Sequence, residues 1–320
     1  MAPPTATGKL AIIIPVFNTR EQVLSALRHL RSLPDCALVD VIVVDDGSTD
    51  GTASAIAAEF PEVTVLHGTG QLYWTGGIRR GMEHALAAGA EWMVWLNHDC
   101  RPEPGTIRKL VDALHQPDVG CVSGLRYLRG QPTAILSPGF DHRRRPLTVK
   151  QDCGFVEAGG TNGNCVAFRA DVVRHVGLPD ARKFPHYGDG PYTLQVRRAG
   201  YRVLIHTGAK VAQDHDVVRN LSPFWRVALT GTPSGGWLRY FFCSPKSFYE
   251  WRFRWHRMRL FRSAAAWILY PAGFCWLLGA IAAGTASRHW LPRNWLLKRC
   301  LQQLPARIPP QQLVMELSRA

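Results

Sequence analysis

The sequence predicts an α/β fold with a mainly parallel central sheet and a helical extension at the C-terminus. Short apolar runs typical of buried strands alternate with helix-like segments through about residue 120. Acidic residues follow directly on two of those runs, at the position where open α/β sheets bind their ligands. Near residue 220 the composition changes, and Trp, Phe and Arg become frequent. These three observations together predict the fold class.

The first two elements are a strand and a helix. Residues 9–16, KLAIIIPV, predict a buried strand, which ends near Pro15 because proline cannot donate a hydrogen bond to a neighbouring strand. Thr19 and Gln22 have the spacing of a capping box and predict the start of a helix. The apolar stripe of that helix comprises Leu24, Leu27 and Leu30.

The same alternation continues to about residue 120. Strands are predicted at 38–44, 62–67 and 91–96, and helices at 51–59, 76–89 and 103–115. Beyond them, short apolar stretches are interleaved with glycine, proline and basic residues, which predicts shorter strands. A helix at 187–199 and a strand at 201–206 follow. Units of this βαβ type are typical of a parallel, doubly wound sheet.

The composition limits the class of protein. Of 320 residues, 46% are hydrophobic and 19% are charged, which suits a globular enzyme better than a disordered chain. The formal net charge of +14 favours anionic partners, such as nucleic acid, an anionic membrane surface or phosphorylated substrates. Eight scattered cysteines and an N-terminus without the apolar core of a signal peptide predict a cytosolic protein with reduced thiols.

Two acidic motifs follow predicted strands. Asp45 and Asp46 of the motif DDGS could accept hydrogen bonds from a nucleobase and a ribose hydroxyl, or could cap the next helix. Asp99 follows the strand WMVWL and could bind Mg²⁺ or Mn²⁺ that bridges a diphosphate, or could cap the helix at 103–115. The chain has neither a P-loop nor a G-x-G-x-x-G motif after its first strand. A diphosphate bound here would therefore be neutralised by a metal ion.

Six segments together resemble the inverting family 2 glycosyltransferases, which have a GT-A fold. They are IIIPVFN at 12–18, VIVVDDGSTDGT at 41–52, a Trp-Gly-rich segment at 70–90, WLNHD at 95–99, HYGDGPYTLQVRRAGYRV at 186–203 and QDHD at 213–216. The Trp-Gly-rich segment is similar to that of the rhamnosyltransferase-like members. The resemblance covers roughly residues 9–216, and the order of the segments makes it specific.

The resemblance implies a Rossmann-like GT-A fold, a nucleotide-diphosphate sugar donor, a divalent metal (Mg²⁺ or Mn²⁺) and roles for individual residues. The donor would be contacted by Pro15, Asp45, Asp46, Trp74, Gly76, Gly77 and Asn97. The metal would be bound by Asp99 and His215. Asp189 would be the base that deprotonates the acceptor hydroxyl for in-line attack on the anomeric carbon, as an inverting transfer requires.

The sequence departs from the family pattern at three places. The usual Asp-x-Asp motif reads NHD at 97–99, with one carboxylate fewer, and His98 could ligate a metal, accept a sugar hydroxyl or fill space. Gly188 and Pro191 stand where relatives often carry further acids, which leaves a single acid as the base. Arg79 stands where relatives often have Asn, and could pair with a phosphate or be solvated.

These observations predict a glycosyltransferase domain at 1–220, with a nucleotide-binding part at 9–120 and an acceptor-binding part at 121–220. The leading hypothesis is metal-dependent, inverting transfer of a sugar, with a deoxysugar such as rhamnose favoured. The donor would be a dTDP-, UDP- or GDP-sugar, and the acceptor a glycan, a lipid-linked glycan or a small molecule. The alternatives are nucleotidyl transfer to a sugar phosphate, and a non-catalytic protein that binds a membrane or nucleic acid.

The C-terminal region at 221–320 is first basic and aromatic, then apolar. Residues 239–262 carry seven basic, one acidic and nine aromatic side chains, which suits an anionic membrane surface and, less favoured, single-stranded nucleic acid. The uncharged stretch 263–287 could be a transmembrane helix, an interfacial or re-entrant helix, or a buried helix or homodimer contact. The chain from Pro292 on predicts a loosely packed tail. The predicted location is cytoplasmic, peripheral on the inner face of the membrane.

Overall fold

The apolar runs of the N-terminal part of the chain form twelve strands in a computed structural model. They are β1 (Leu10–Val16), β2 (Asp40–Asp45), β3 (Thr64–His67), β4 (Trp92–Leu96), β5 (Cys100–Pro102), β6 (Val119–Leu128), β7 (Gln131–Ile135), β8 (Gly139–Phe140), β9 (Phe155–Glu157), β10 (Gly160–Thr161), β11 (Cys165–Arg169) and β12 (Arg202–Gln213). The structure describes residues 9–37, 39–143, 145–214, 221–231, 239, 242–247, 249–262, 265–303, 313, 314 and 317.

Ten of these strands form one sheet in the order β3-β2-β1-β4-β11-β6-β12-β5, with β7 beside β6 and β9 beside β12. The first four strands of that order are parallel, as predicted. The remaining part is mixed, because β11 runs antiparallel to both β4 and β6. The described chain between β6 and β11 contains no helix. A parallel crossover usually needs one, so the prediction of a doubly wound parallel sheet holds only for the first half.

Six helices accompany the sheet. They are α1 (Arg20–Arg31), α2 (Thr52–Glu59), α3 (Tyr73–Ala87), α4 (Thr106–Ala113), α5 (Ala170–Val176) and α6 (Asp189–Arg198). The five predicted helices are confirmed, with ends that differ by up to three residues, and α5 has no counterpart in the prediction. Strand β12 is longer than predicted and passes through an irregularity between His206 and Lys210.

The N-terminus of α1 is not held by the predicted capping box of Thr19 and Gln22. Thr19 is the cap residue, but its Oγ1 is buried and makes no hydrogen bond with the described residues. Instead, the N–H of Arg20 donates to Asp50 Oδ2 at 3.0 Å, a carboxylate from the loop that follows β2. A charged acceptor makes a stronger bond than a neutral hydroxyl, and only the fold brings it to this position.

Strand β1 is buried on both of its faces. Ile12 and Ile14 pack in one cluster with Leu24 of α1, whereas Ile13 packs in a second cluster with Met82 of α3. Helices therefore cover both sides of the parallel half of the sheet. This two-sided burial explains why LAIIIPV is continuously apolar rather than alternating.

A second compact unit spans His215–Ala320. Its described helices are α7 (Pro223–Thr230), α8 (Trp251–Arg262), α9 (Ala266–Trp290) and α10 (Arg293–Gln303). Leu229 of α7 packs with Leu296 and Cys300 of α10, all three nearly inaccessible to solvent. The prediction of a loosely packed tail is therefore wrong for α10, because its apolar side chains find a partner in α7.

Helix α9 is long and mostly exposed. Its segment Trp267–Trp290, with a mean hydropathy of 1.5, is the one helix among the described residues that is long and apolar enough to cross a membrane. Leu277 is buried against Val227 of α7, but Trp267 and Ile268 are each 75% exposed. Within the described residues, α9 is therefore not the buried core helix that was one alternative for 263–287.

A glycine inside α3 sets the distance between this helix and the sheet. A Cβ atom at Gly81 would overlap Cγ2 of Ile13 and lie 3.3 Å from Cγ2 of Val44. Overpacking of this kind costs about 1–3 kcal/mol, more than the roughly 1 kcal/mol that alanine gains in helix propensity. We therefore expect Gly81→Ala to lower the free energy of unfolding in denaturant titrations.

The matched control for that prediction is Gly279→Ala. Gly279 is an exposed helical glycine of α9, and a Cβ atom there would meet nothing within 4 Å. The control gains helix propensity without a collision, so its stability should stay the same or rise. A Gly81→Ala variant as stable as the control would contradict the close contact between α3 and β1.

Candidate active site at the carboxyl edge of the sheet

The carboxyl ends of β1, β2 and β4 lie side by side. In the parallel registers, Val16 is level with Asp45 of β2, and Ile13 is level with Trp95 of β4. The loops that follow these strands therefore leave the sheet at one edge, where open α/β sheets bind ligands. Both acidic motifs that follow predicted strands, at Asp45 and Asp46 and at Asp99, lie at this edge.

Asp45 and Asp46 are both buried, with 2% and 5% of their surface exposed. Asp46 accepts two backbone hydrogen bonds, from Gly70 to Oδ1 and from Tyr73 to Oδ2, both at 2.8 Å. It thereby holds the segment that leads into α3, where Tyr73 has a positive φ of 54°. Asp45 Oδ1 accepts the N–H of Ser48 at 2.9 Å. Contact of these two carboxylates with a base or ribose stays a prediction.

Trp74 and Asn97 meet in front of the sheet. The indole Nε1 of Trp74 donates to Asn97 Oδ1 at 2.8 Å. The same indole packs edge-on against Trp95, with 5.5 Å between the ring centroids. These contacts fix the half-buried Trp74 side chain as one wall of the candidate site, and its contact with a donor stays a prediction.

Gly76 and Gly77 lie in the first half of α3 and are buried. A Cβ atom at Gly77 would lie 3.0 Å from Cβ of Pro15, at the end of β1. A Cβ atom at Gly76 would lie 3.2 Å from Cβ of Leu72. The structure thus gives the pair Pro15 and Gly77 a packing role between helix and strand, and their contact with a donor stays a prediction.

Asp99 is joined to the end of β12. Its Oδ2 accepts a hydrogen bond from Nε2 of Gln213 at 3.0 Å, and its backbone carbonyl accepts the N–H of Asp214 at 3.2 Å. The other carboxylate oxygen, Oδ1, has the thiol of Cys100 at 3.7 Å. The predicted partner His215 follows Asp214 in the chain but lies outside the described residues.

His98 points back toward the end of β1. Burial lowers the pKa of His98, and the Arg101 guanidinium acts in the same direction, against a hydrogen bond with the Pro15 backbone. Arg101 Nη1 in turn donates to the backbone carbonyl of His98 at 2.7 Å. Arg101 therefore fixes the loop on which His98 and Asp99 stand. The three roles considered for His98 stay open.

Asp189 lies at the N-terminus of α6 and is half-buried. Its Oδ2 accepts the N–H of Gly163 at 2.8 Å. Burial raises the pKa of Asp189, against the opposing effects of the Gly163 hydrogen bond and of Arg126. A Cβ atom at Gly163 would lie 2.5 Å from Cη2 of Trp74, so the absence of a side chain there lets Trp74 come close to Asp189.

The unusual Gly188 also has a steric reason. Its N–H donates to Thr75 Oγ1 at 3.0 Å, and a Cβ atom at Gly188 would lie 2.5 Å from Cγ2 of Thr75. No larger side chain fits beside this threonine. Pro191 lies in the first turn of α6. The backbone N–H groups of a first turn have no acceptor within the helix, so the N–H that proline lacks is not missed there.

Arg79 is engaged by protein groups. Its Nε donates to Glu83 Oε1 at 2.9 Å, one turn along α3, and its Nη1 donates to the carbonyl of Pro179 at 3.3 Å. These contacts give Arg79 a role in joining α3 to the loop before α6. A phosphate partner for it stays an alternative.

Two residues next to this site were missed from the sequence. Arg126 of β6 is buried and donates from Nη1 to Oε1 of Gln213 at 2.6 Å. Gln213 in turn donates to Asp99. The sequence pattern that could have indicated Arg126 is an arginine inside the otherwise mostly apolar strand VGCVSGLRYL. Gln213 is the first residue of the motif QDHD. Neither pattern reveals which groups the side chains meet.

The donor atoms around Asp99 fit a divalent cation that is shared with a ligand. Among the described residues, no group of three His, Cys, Asp or Glu side chains could hold a metal ion. Mg²⁺ and similar cations prefer oxygen ligands, and are commonly held by one or two carboxylates together with phosphate oxygens and water. Asp99 supplies one such carboxylate. The described residues therefore fit a metal that is bound jointly with a diphosphate.

The family model of glycosyl transferase family 2 matches residues 11–177, which is more than half of the chain. The chain belongs to glycosyl transferase family 2. The resemblance predicted from the six segments is thereby confirmed, and with it the class of enzyme. The matched region of this glycosyltransferase includes Asp45, Asp46 and Asp99. The nucleotidyltransferase alternative is set aside.

Two relatives illustrate the range of the family. The undecaprenyl-phosphate mannosyltransferase of Micrococcus luteus is 34% identical over 207 residues, which cover 61% of this chain and 81% of the relative. The N-acetylglucosaminyl-diphospho-decaprenol L-rhamnosyltransferase of Mycobacterium tuberculosis is 27% identical over 203 residues, which cover 54% of this chain and 66% of the relative. The chain thus spans just under two thirds of the second relative's length.

A solved structure confirms the GT-A fold of this glycosyltransferase. A mannosyltransferase from Pyrobaculum calidifontis, in complex with GDP-Man and Mn²⁺, matches with a TM-score of 0.55 at 17% sequence identity. The match covers 98% of this chain and 85% of the other. At this identity the likeness concerns the fold, in agreement with the mixed sheet described above.

Proposed function

We propose that this glycosyltransferase moves a sugar from a nucleotide-diphosphate donor to an acceptor hydroxyl, with inversion at the anomeric carbon. The observation that carries the proposal is the position of Asp189, a half-buried carboxylate whose pKa is raised by burial. Gly163, whose N–H binds Asp189, lies against the ring of Trp74. Trp74 binds Asn97 on its other side. The nearness of the predicted base to two of the predicted donor contacts, Trp74 and Asn97, supports the proposal.

In the proposed reaction, the acceptor oxygen attacks the anomeric carbon while the bond from that carbon to the donor phosphate breaks. Asp189 accepts the proton of the hydroxyl, and the N–H of Gly163 holds one oxygen of the carboxylate in place. A carboxylate with a raised pKa is a better proton acceptor near neutral pH. Trp74 and Asn97 would orient the sugar, and Asp45 with Asp46 the nucleoside.

We also propose that the reaction depends on Mg²⁺ or Mn²⁺. Asp99 would hold the ion with the donor diphosphate, and His215 is the predicted further ligand. A bound ion would neutralise the negative charge that develops on the departing diphosphate. Support comes from the lack of a P-loop in the sequence and from the Mn²⁺ in the complex of the similar Pyrobaculum calidifontis enzyme.

The donor sugar is proposed to be a deoxysugar such as rhamnose, on the strength of the Trp-Gly-rich segment and the rhamnosyltransferase relative. Mannose is the second candidate, because the relative of higher identity is a mannosyltransferase. A thermal-shift screen of dTDP-, UDP- and GDP-sugars with Mn²⁺, Mg²⁺ or EDTA tests both. We expect one donor to raise the melting temperature only with metal. Stabilisation by no nucleotide sugar would contradict the donor class.

The acceptor is proposed to be a lipid-linked glycan, and the enzyme to be cytoplasmic and peripheral on the membrane. The two relatives are named for polyprenyl-linked substrates. In the second unit, the exposed Trp267 and Ile268 of α9 occur together with exposed arginines of α8, a combination that suits an anionic lipid surface. Sedimentation with phosphatidylglycerol vesicles, but not with phosphatidylcholine vesicles, is the expected result. A protein that sediments with neither kind of vesicle would contradict the peripheral location.

A further inference from the structure

Arg126 is a buried cation that the proposed reaction does not yet use. Its side chain lies within β6 with 6% of its surface exposed, and it has no ion pair among the described residues. Its Nε has no hydrogen-bond partner there either. Burial of an arginine without a directly paired carboxylate is costly. Such a residue therefore calls for a functional reason.

One side of the guanidinium controls an amide that touches Asp99. Arg126 Nη1 donates to Oε1 of Gln213 at 2.6 Å. Because a guanidinium can only donate, this bond determines that the amide oxygen of Gln213 faces Arg126. The amide nitrogen must then face the other way, where it donates to Asp99 Oδ2 at 3.0 Å. The arginine thereby determines that Gln213 presents a donor to Asp99.

The other side of the guanidinium reaches toward Asp189. Arg126 Nη2 donates to the carbonyl of Ser137 at 2.5 Å, and Nδ2 of Asn162 donates to the same carbonyl at 2.8 Å. The next residue, Gly163, supplies the N–H that binds Asp189. A continuous series of contacts and one peptide link therefore runs from Asp99 to Asp189 with Arg126 at its centre.

We propose that Arg126 and Gln213 are positioning residues for the two functional carboxylates of this transferase. Gln213 holds the Asp99 carboxylate in place through Oδ2, and Arg126 orients Gln213 while it anchors the loop that supports Asp189. The inference rests on the proposed roles of Asp99 and Asp189. It adds two residues that act through the side chains and the loop they hold.

The neutral amide between Arg126 and Asp99 has a physical purpose. A guanidinium in direct contact would pair with the carboxylate through both oxygens and cancel its charge. With Gln213 between them, the guanidinium does not contact Asp99, and a divalent cation can bind the carboxylate without competing with an arginine. The charges of Asp99 and Asp189 also oppose the lowering of the Arg126 pKa by burial, so the cation is stabilised by both carboxylates at a distance.

The test measures Mn²⁺ affinity by electron paramagnetic resonance of the free ion, with GDP, UDP or dTDP present in turn. We expect Gln213→Leu to weaken Mn²⁺ binding about 10- to 100-fold, the usual loss when a partner of a metal ligand is removed. Ser123→Ala is the matched control. Ser123 is buried in the same strand as Arg126, and its hydroxyl contacts only backbone carbonyls outside this series. The control should bind Mn²⁺ as wild type does.

Arg126→Met should weaken Mn²⁺ binding to a similar extent and also lower kcat, since it removes the anchor of the loop beside Asp189. The double variant with Gln213→Leu should bind Mn²⁺ no worse than the single variants, because both act through one contact to Asp99. Arg126→Lys keeps the charge and should recover part of the loss. Should Arg126→Met fail to fold, Gln213→Leu and the shorter Gln213→Asn decide the question.

Two outcomes separate this inference from the proposed function. If Asp99→Ala loses Mn²⁺ binding while Gln213→Leu and Gln213→Asn bind it as wild type does, the positioning role is wrong and the metal site stands. If Asp99→Ala itself binds Mn²⁺ as wild type does, the metal site is wrong and the role of Gln213 falls with it. If the losses of Mn²⁺ affinity add up in the double variant, Arg126 and Gln213 act independently, and this result would also overturn the proposal.

Discussion

Replacement of Asp189 by asparagine is expected to slow sugar transfer about 100- to 10,000-fold, the usual effect of removing a general base. Asparagine has nearly the same shape, and its Oδ1 can still accept the N–H of Gly163. Donor binding should therefore stay close to that of wild type. Steady-state rates and donor titrations of the two proteins measure these effects. Turnover at the wild-type rate in Asp189→Asn would exclude the residue as the base.

The same substitution should raise thermal stability at neutral pH. Burial raises the pKa of Asp189, so the folded protein binds this proton more tightly than the unfolded chain does. Ionisation of Asp189 therefore destabilises the folded protein. This destabilisation is complete at a pH above the raised pKa and absent at a pH below the ordinary pKa of aspartate. The asparagine side chain of the variant does not ionise and carries no such cost. The melting temperature of the variant should exceed that of wild type at pH 7, and the difference should vanish as the pH falls through this window.

The second large effect is expected from Asp99→Ala. Without its carboxylate, the site loses the proposed oxygen ligand of the metal, and binding of Mn²⁺ with a nucleoside diphosphate should weaken by more than about 100-fold. Titration of the donor with and without Mn²⁺ measures the change. The gain in donor affinity that the metal gives to the wild type should be absent in the variant.

Asp112→Ala is the matched control for that experiment. Asp112 lies on α4 in an exposed pair with Arg108 at 3.8 Å, away from the edge of the sheet. Exposed pairs of this kind contribute at most about 1 kcal/mol, so both folding and metal response should be preserved. Metal-dependent donor binding that survives in Asp99→Ala would place the ion elsewhere.

The parallel half of the fold could be read from the sequence because its strands are buried on both faces. A continuous apolar run such as LAIIIPV predicts a strand that is buried on both faces. The acidic residues that follow parallel strands lie at the same edge of the sheet. The strand order and directions of the mixed half could not be predicted from the sequence. Its strands are short or curved, and the antiparallel entry of β11 depends on the absence of a helix in the described chain between β6 and β11.

The candidate site shows the same division. Asp189 and Asp99 were predicted as a base and a metal ligand from motifs in their order along the chain, and these roles stay predictions. What each side chain touches was not predicted. Contact of Asp46 with the donor stays a prediction, and the sequence did not show that both of its oxygens accept backbone N–H groups within the protein. The sequence did not reveal why residues 163 and 188 are glycines. In the structure, Trp74 lies where a side chain at 163 would be, and Thr75 lies where a side chain at 188 would be.

The sequence by itself determined the family, the enzyme class and the edge of the sheet at which the acids collect, because strand burial and motif order are properties of the chain. The tertiary structure alone decided that Asp50 holds the start of α1 and that Arg126 lies between Asp99 and Asp189. Those contacts join residues far apart in the chain, and hydrogen bonds depend on distance and direction in space rather than on spacing along a sequence.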